Sequence, residues 1–423
     1  MTERLIVRNF AGLEEVDIEL GRMNIFIGPQ ASGKSVCAKC LYLFKAFLPD
    51  LLESAISSDT KRDFDNSFIN EFKEYFPGVW RNDKKLFLRY EIADTFIQIV
   101  STNGKLSLTY SELFVEVAKT LRKESQAAYK SGYRSTSFLW ESGLIVEASD
   151  VLRDEVGPAM DATQSFILAG RSFFSALKGA MLTFLAQAPV VDPFLRKFLG
   201  LYELTRHYFL NNDITRSKEL YALAQHIIKG NVEIKGDEEF IVSSDGRRVS
   251  LAHASSGQQE AFALLLILLK IGLEEQGHLT GDDQELHTVY VEEPEAHLFP
   301  ESQRATSQFM AAVLNIRPLS LQLVITTHSP YLLASFNNLI YAHQLAETLR
   351  DQPAKLKALY KVVPKNQQLA LADVRVYGFE NGKVKALIDE ETGLLTADLL
   401  DSASDVTADQ FGDLMALDPA IHP

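Results

Sequence analysis

A glycine-rich loop set between an apolar segment and a helical pattern constrains this chain more than any other feature. Residues 28–35 read GPQASGKS; they follow the apolar run MNIFI and precede a helical pattern that Pro49 is predicted to end. Glycines let such a loop curl so that its backbone amides face inward, and the N-terminus of the helix adds positive potential. We therefore predict a phosphate site in which Lys34 reaches the β- and γ-phosphates and the Ser35 hydroxyl binds Mg²⁺. The predicted contacts with a nucleotide are Gly28, Pro29, Gln30, Ala31, Ser32, Gly33, Lys34, Ser35 and Val36.

Two adjacent acidic residues end a second apolar segment. The run TVYV at 288–291 is followed by Glu292, Glu293 and Pro294. The end of a strand can place Glu292 beside the Mg²⁺ shell, usually through water, and Glu293 can then orient or deprotonate the attacking water. Phosphoryl transfer asks little covalent chemistry of a protein, so positioning and charge carry the rate.

A third motif lies at the start of an apolar helix. Residues 254–260 read ASSGQQE and lead into FALLLILL. A helix N-terminus with a hydroxyl group and a free glycine backbone binds anions and can face a γ-phosphate. The predicted contacts are Ser255, Ser256, Gly257 and Gln258.

A histidine at a strand end defines the fourth motif. Residues 323–330 read LVITTHSP, in which an apolar strand ends in His328 and Pro330 interrupts the strand pattern two residues later. The imidazole of His328 could hydrogen-bond the γ-phosphate or the attacking water.

Each motif also has a plainer explanation. Residues 28–35 could be a chance glycine-rich turn, and Glu292 and Glu293 could be solvated residues at a strand end. A serine at 255 or 256 is a good N-cap, and a lone histidine is usually structural. The four motifs together, in this order and on a strand–loop–helix framework, favour the functional interpretation.

Composition limits the classes of protein. The chain has 423 residues, 56 of them acidic and 42 basic, so its net charge is −14. A protein that coats nucleic acid with its whole surface would be basic, so any contact with DNA is expected through a local patch. The chain has two cysteines and does not open on a basic-then-apolar leader, which favours the cytoplasm. Its apolar run at 261–269 is far shorter than the ~20 residues of a membrane helix, so we expect no membrane contact.

The four motifs resemble those of the ABC-type ATPase superfamily, in the soluble branch that includes RecF-like and SMC-like ATPases. Within it the sequence looks most like the AAA-labelled ATPases of the OLD (overcoming lysogenization defect) type. The matching segments are Asn9-Phe10 at the end of the first strand, SSGQQ at 255–259 and EEPEAHLFP at 292–300. The resemblance implies an α/β fold, a P-loop ABC-type ATPase head with N-terminal antiparallel strands and an inserted, mostly helical lobe. No sustained heptads are present, which predicts no long coiled coil.

The resemblance also implies roles for the site residues. Lys34 and Ser35 would serve ATP and Mg²⁺ within one subunit, whereas Ser256 and Gly257 would contact the γ-phosphate bound by a second copy in a head-to-tail dimer. Glu293 would be the catalytic base and His328 a switch histidine. The segment FILAGR at 166–171 is similar to an apolar strand followed by P-A-x-R, with Leu168 where proline is common. That difference leaves a sensor role for Arg171 open, and Gln164 is the candidate for a glutamine loop.

The predicted domains are an ATPase core at 1–49 and 231–350 with a contribution from 160–172, an inserted α/β and helical lobe at 50–230, and a C-terminal extension with an acidic tail at 351–423. Basic and aromatic residues of the lobe could contact nucleic acid or a partner, although a solvated surface is the more common explanation. They are Lys61, Arg62, Trp80, Arg81, Lys84, Lys85, Arg122, Lys123, Tyr129, Lys130, Tyr133, Arg134 and Trp140.

The chain is predicted to hydrolyse ATP. It is predicted to carry no nuclease site, because the residues after His328 lack an Asp-x-Asp on a strand end. ATPases of this build commonly control a separate effector, and the ATPases of the Septu and PARIS anti-phage systems (PtuA and AriA) look similar in logic. The first hypothesis is therefore an ATP-gated homodimer that controls an effector such as a nuclease or toxin, triggered by DNA or a phage protein. The alternatives are a RecF-like ATPase of DNA repair or chromosome processing, and a nucleotide-bound scaffold with negligible turnover.

Overall fold

An eleven-stranded mixed sheet forms the centre of the molecule. The computed structural model describes residues 2–79, 85–130, 144–157, 163–172, 192–273, 286–389 and 391–395. The strands in chain order are β1 (Glu3–Phe10), β2 (Leu13–Leu20), β3 (Met23–Ile27), β4 (Phe87–Ile92), β5 (Thr95–Thr102), β6 (Lys105–Tyr110), β7 (Thr163–Ile167), β8 (Asn231–Lys235), β9 (Glu238–Val242), β10 (Arg248–Ser250), β11 (His287–Glu292), β12 (Leu321–Thr327), β13 (Val374–Glu380) and β14 (Lys383–Ala386). Strands β8, β9 and β10 form a separate antiparallel sheet.

Helices cover both faces of the large sheet. Within the described residues they are α1 (Lys34–Ile56), α2 (Lys61–Tyr75), α3 (Glu112–Lys130), α4 (Leu144–Val156), α5 (Pro193–Asn211), α6 (Lys218–Ile228), α7 (Ser256–Leu273), α8 (Pro300–Ile316), α9 (Pro330–Thr348) and α10 (Pro353–Val362). By length and composition alone α7 could cross a membrane, but most of it is buried inside this molecule.

The strand order places the predicted motifs at one edge of the sheet. The order is β6-β5-β4-β1-β2-β14-β13-β3-β12-β11-β7. The last five strands are parallel to one another, whereas β6, β5, β4, β1 and β2 pair antiparallel. Because parallel strands end at the same edge, the segments after β3, β7, β11 and β12 meet there. The predicted α/β fold with N-terminal antiparallel strands is confirmed, and the described residues contain no long coiled coil.

Side-chain alternation in the parallel strands builds two apolar clusters, one on each face. In β3, Ile25 and Ile27 pack into the cluster that contains α7 and α8, whereas Phe26 packs into the cluster that contains α1 and α2. All five residues of β3 are buried. A strand covered on both faces reads as a continuous apolar run, which is why MNIFI shows no alternation in the sequence.

The strands of the predicted lobe continue the main sheet. Strand β4 pairs antiparallel with β1, and β5 and β6 extend the sheet outward from it. The turn between β5 and β6 is Asn103-Gly104, with φ of 53° and 78°. This is the left-handed conformation that an Asn-Gly hairpin requires, so the predicted hairpin is confirmed.

Helix α1 continues through Pro49, which the sequence analysis took as its end. Proline lacks an N–H and interrupts one bond of the helical ladder. The turns beyond it bury Leu51, Leu52 and Ala55 in the apolar cluster shared with α2 and α3. Burial of these side chains offsets the lost hydrogen bond, and the helix runs on to Ile56.

Strand β13 lies inside the sheet, although the sequence analysis placed it in a C-terminal extension. It pairs parallel with β3 and antiparallel with β14. Val374, Val376 and Phe379 are buried. Its partner β3 lies near the start of the chain, and local patterning does not reveal pairing between segments so far apart.

Candidate nucleotide site

A chain of contacts joins three of the predicted residues at the carboxyl edge of the parallel strands. Lys34 Nζ lies 3.4 Å from His328 Nδ1. His328 Nε2 lies 3.1 Å from Glu293 Oε1. Lys34 begins the helix after β3, Glu293 follows β11 and His328 follows β12. Since β12 lies between β3 and β11, the imidazole stands between the ammonium and the carboxylate.

The glycine-rich loop wraps around its lysine. Lys34 Nζ donates to the carbonyls of Gly28 at 2.8 Å and Pro29 at 2.7 Å. A Cβ atom on Gly28 would lie 2.3 Å from the carbonyl oxygen of Phe379 in β13. Gly33 has a φ of 99°, in the left-handed region that favours glycine. Both glycines are therefore required by the backbone path of the loop.

The environment of Lys34 suits an anionic ligand. Burial lowers the pKa of Lys34 from its ordinary value of 10.5 to about 8, while the charges of Glu293 and Glu295 act in the opposite direction. Burial makes the ammonium costly because it has lost water. A phosphate oxygen beside Nζ would therefore stabilise the charged form.

The backbone at Glu293 is held in a strained turn. Its φ is 44°, in the left-handed region that a residue with a Cβ seldom adopts. Its amide donates to the carbonyl oxygen of Thr326 at 2.9 Å, which ties the turn to β12. Strain of this kind costs on the order of 1–3 kcal/mol and concentrates at functional sites.

A third carboxylate, from Glu295, fixes the histidine, and the sequence analysis assigned it no role. Glu295 Oε1 accepts from the His328 amide and from the Thr327 hydroxyl, both at 2.7 Å. Its Oε2 atom is buried and has no hydrogen-bond partner among the described residues. The only signal in the sequence was the acidic residue that follows Pro294, and its role appears once β11 and β12 are adjacent in space.

Arg171 also lies at this edge and is one of the most deeply buried large side chains, with 1% of its surface exposed. Its guanidinium donates to the carbonyls of Glu292 at 2.7 Å and Glu293 at 3.0 Å. It also donates to the carbonyl of Leu168 at 2.6 Å and to that of Glu260 at 3.1 Å. These acceptors are backbone oxygens, which is not how a sensor that touches phosphate would be placed. Glu260 is a second residue that sequence reasoning missed.

Residues 255–258, here called the serine-glycine segment, cap helix α7. Ser255 Oγ donates to Gln258 Oε1 at 3.1 Å, and the Gln258 amide donates to Ser255 Oγ at 3.3 Å. Ser255 and Ser256 are exposed. Among the described residues, the hydrogen bonds of this segment do not reach Lys34, Glu293 or His328. The structure therefore shows the N-cap, and the predicted anion contact from this segment stays a prediction.

Two other predicted residues occupy defined positions. Glu292 Oε2 accepts from the Ala169 amide at 3.4 Å, so the carboxylate lies near the end of β7. Gln164 is held by the Tyr42 carbonyl and the Tyr290 hydroxyl at the start of β7. It lies at the opposite end of that strand from the site, which does not fit a glutamine loop.

The basic clusters of the predicted lobe are only partly described. Lys61 pairs with Asp65 at 2.5 Å and lies over the Tyr110 ring. The residues of these clusters that lie outside the described residues are Trp80, Arg81, Lys84, Tyr133, Arg134 and Trp140, and the acidic tail at 401–418 lies outside them too.

The residues at this edge fit a nucleoside triphosphate with Mg²⁺. The loop leaves no room for side chains at Gly28 and Gly33, and it presents an ammonium that donates to carbonyl and hydroxyl oxygens and lies near the His328 imidazole. The residue after Lys34 is Ser35, which is exposed. Within the described ranges, no group of three or more His, Cys, Asp or Glu side chains is arranged to hold a metal ion by itself. Mg²⁺ is usually bound by one or two protein ligands together with substrate phosphates and water.

Comparison with known proteins places an ATPase domain in the same region. Residues 202–333 match the model of an AAA ATPase domain. That stretch contains the serine-glycine segment, Glu293 and His328, and the glycine-rich loop lies before it. No curated protein matches the chain.

Several solved structures are similar at low identity. An SMC head bound to the C-terminal winged-helix domain of ScpA has 13% identity and a TM-score of 0.39, covering 91% of this chain and 96% of that one. The SMC head domain from Thermotoga maritima has 9% identity and a TM-score of 0.36, covering 91% and 97%. The recombination mediator RecF has 12% identity and a TM-score of 0.34, covering 92% and 98%. These low values carry no functional argument.

Proposed function

We propose that this chain binds ATP with Mg²⁺ at residues 28–36 and hydrolyses it. The observation that carries the proposal is the contact chain from Lys34 through His328 to Glu293 at the edge where parallel strands end. The AAA ATPase domain match supports it independently.

Each residue has a role that its position supports. Lys34 would bind the phosphates, and Glu293 would accept the proton of the attacking water. His328 contacts both residues, so it would orient the attacking water toward the terminal phosphate. Ser35 and Glu292 would hold Mg²⁺, which supplies neutralisation of the phosphate charge when it is bound.

Phosphate release with ATP and Mg²⁺ tests this proposal. We expect Lys34→Ala to lose ATP binding, and Glu293→Gln to keep binding while its turnover falls by roughly 10²–10⁴-fold, the usual contribution of a general base. Glu116→Gln is the matched control, because Glu116 is an exposed glutamate of α3 paired with Lys119. If Glu293→Gln releases phosphate at the wild-type rate, Glu293 is not the base. If the wild type does not turn over, the chain is a nucleotide-bound scaffold at most.

We propose further that ATP joins two copies head to tail, with Ser256 and Gly257 of one copy facing the nucleotide of the other. Two exposed aromatic residues beside the site support an interface there: Phe299 is 77% exposed and Tyr331 is 58% exposed. Phe299 precedes α8 and Tyr331 lies three residues after His328. Exposed apolar groups next to a functional site often mark a partner surface.

The biological role rests on the resemblance to OLD-type ATPases. We propose that the dimer controls a separate effector, a nuclease or toxin, in anti-phage defence. Purification of the tagged chain with its native neighbours tests this role, since a nuclease or toxin should co-purify and change its activity with ATP. DNA-stimulated turnover with a steep salt dependence, and no such partner, would favour the DNA-repair alternative instead.

A further inference from the structure

Arg171 and Glu260 form a buried ion pair between the loop after β7 and helix α7. Arg171 Nε lies 3.3 Å from Glu260 Oε2, and the side chains are 0% and 1% exposed. The amides of Arg171 and Ser172 each donate to one Glu260 carboxylate oxygen at 2.9 Å. Both oxygens of the carboxylate are therefore held, and the carboxylate cannot turn without breaking buried hydrogen bonds.

The same guanidinium holds the start of residues 292–298, here called the catalytic loop because Glu293 is the proposed base. It donates to the carbonyls of Glu292, the last residue of β11, and of Glu293, which follows it. Glu260 lies four residues after Ser256, within the second turn of α7. One side chain thus connects the start of α7 with the strained turn that carries Glu293.

A second contact joins the start of α7 to the same loop. A Cβ atom on Gly257 would lie 2.5 Å from the carbonyl oxygen of His297, which follows the Glu293 turn. His297 itself has a φ of 58°. The start of α7 therefore lies against the catalytic loop at two places, and a movement of one would displace the other.

We propose that Arg171 is a positioning residue that couples the serine-glycine segment to the catalytic turn at Glu293 of the same chain. The inference rests on the proposed head-to-tail dimer, in which that segment faces the nucleotide of the other copy. A phosphate bound there would fix the start of α7, and Arg171 would transmit that constraint to Glu293. The two ATP sites then hydrolyse cooperatively, because each chain contacts both.

The test compares conservative variants of this pair with a matched buried arginine. Arg171→Lys keeps the charge but cannot span the four carbonyls. Glu260→Gln removes the carboxylate and leaves the backbone acceptors of Arg171 in place. Arg206→Lys is the control, since Arg206 is 5% exposed and pairs with Glu203, Asp237 and Glu239 away from the site.

We expect wild-type phosphate release to depend on ATP with a Hill coefficient above 1, bounded by the two sites of a dimer. In Arg171→Lys and Glu260→Gln the coefficient should fall to about 1 and kcat should fall about 10-fold, with ATP affinity of the monomer unchanged. Arg206→Lys should keep the coefficient even if it lowers the midpoint of thermal unfolding. A purely structural role would lower stability in all three variants without changing the coefficient.

The failures are distinguishable. If the wild type hydrolyses ATP with a coefficient of 1, or if both variants keep its coefficient, the coupling is wrong while the ATPase stands. If the wild type has no turnover, the proposed function fails. Amide hydrogen exchange then tests whether the serine-glycine segment is coupled to the turn at Glu293. Exchange of the amides at 290–298 should then slow with ATP in the wild type and not in Glu260→Gln; equal slowing overturns the inference. Should Arg171→Lys not fold, Glu260→Gln carries the comparison.

Discussion

At the scale of single residues, the site depends on groups that act through the backbone as much as on those that face phosphate. Glu295 accepts a hydrogen bond from the backbone amide of His328, and Arg171 donates one to the carbonyl of Glu293. Neither contact is visible in a motif, because both join residues from different strands. Lys34, Glu293 and His328 were each predicted from local sequence, since a strand end or a glycine-rich loop marks their positions.

Glu295 gives a test of positioning without a phosphate contact. Glu295→Ala leaves the His328 amide and the Thr327 hydroxyl without their acceptor, and an unsatisfied buried donor costs about 1–3 kcal/mol. We expect kcat for phosphate release to fall about 10-fold or more, with little change in the Kd for ATP. Glu295→Gln keeps an acceptor oxygen and should recover most of the rate. Equal losses in the two variants would show that the charge, and not the acceptor, is needed.

Asp50 gives a pH-dependent test of stability away from the site. Burial, with a contribution from Glu71, raises the pKa of Asp50 from 3.8 to about 6. Between these values the folded state holds a proton that the unfolded state has released, so wild-type stability falls as pH rises through the window. Asp50→Asn does not titrate, so its advantage in free energy of unfolding should grow from near zero at pH 4 to on the order of 1–2 kcal/mol at pH 7.

Urea unfolding at several pH values measures that difference. Asp245 is the contrasting control: its bonds to the Arg247 amide and side chain lower its pKa, so Asp245→Asn should lose stability relative to wild type as pH rises. An Asp50→Asn difference that stays constant from pH 4 to 7 would contradict the burial of this carboxyl.

At the scale of secondary-structure elements, local patterns predicted which helices and strands exist better than they predicted where each one ends. The Asn103-Gly104 hairpin and the strand–loop–helix at 23–56 follow from turn chemistry and apolar runs, and both are present. Helix α1 passes Pro49 because the side chains beyond it are buried by α2 and α3, which no local rule reports. Strands β13 and β3 pair although most of the chain separates them in sequence. The place of β13 in the sheet could therefore not be predicted from local patterns.

The contact between the start of α7 and residues 292–298 can be tested by replacing Gly257. In Gly257→Ala the new Cβ would meet the His297 carbonyl, and relief of that clash must displace the start of α7. We expect a loss of about 1–3 kcal/mol in free energy of unfolding, as for other overpacked sites. Gly200→Ala is the matched control, because Gly200 lies within α5 and no atom of the described residues comes within 4 Å of a Cβ there. It should gain about 0.5–1 kcal/mol. If Gly257→Ala is as stable as Gly200→Ala, the close approach is not present in solution.

At the scale of the whole molecule, the account requires a second copy. Ser255 and Ser256 are exposed, and within the described residues the hydrogen bonds of the serine-glycine segment do not reach Lys34, so we assign its predicted phosphate contact to the nucleotide of another copy. Phe299 and Tyr331 are exposed at the starts of α8 and α9, the helices that follow Glu293 and His328 in the chain. Leu319 is 71% exposed but precedes β12, at the opposite edge of the sheet, and it provides a matched comparison.

The most direct measurement is the mass of Glu293→Gln by size-exclusion chromatography with light scattering, with and without saturating ATP and Mg²⁺. We expect the mass of one chain without nucleotide and of two chains with it. In the same background, Phe299→Asp should stay monomeric with ATP, whereas Leu319→Asp should still dimerise. A Glu293→Gln protein that binds ATP and keeps the mass of a single chain would show that ATP does not join two copies.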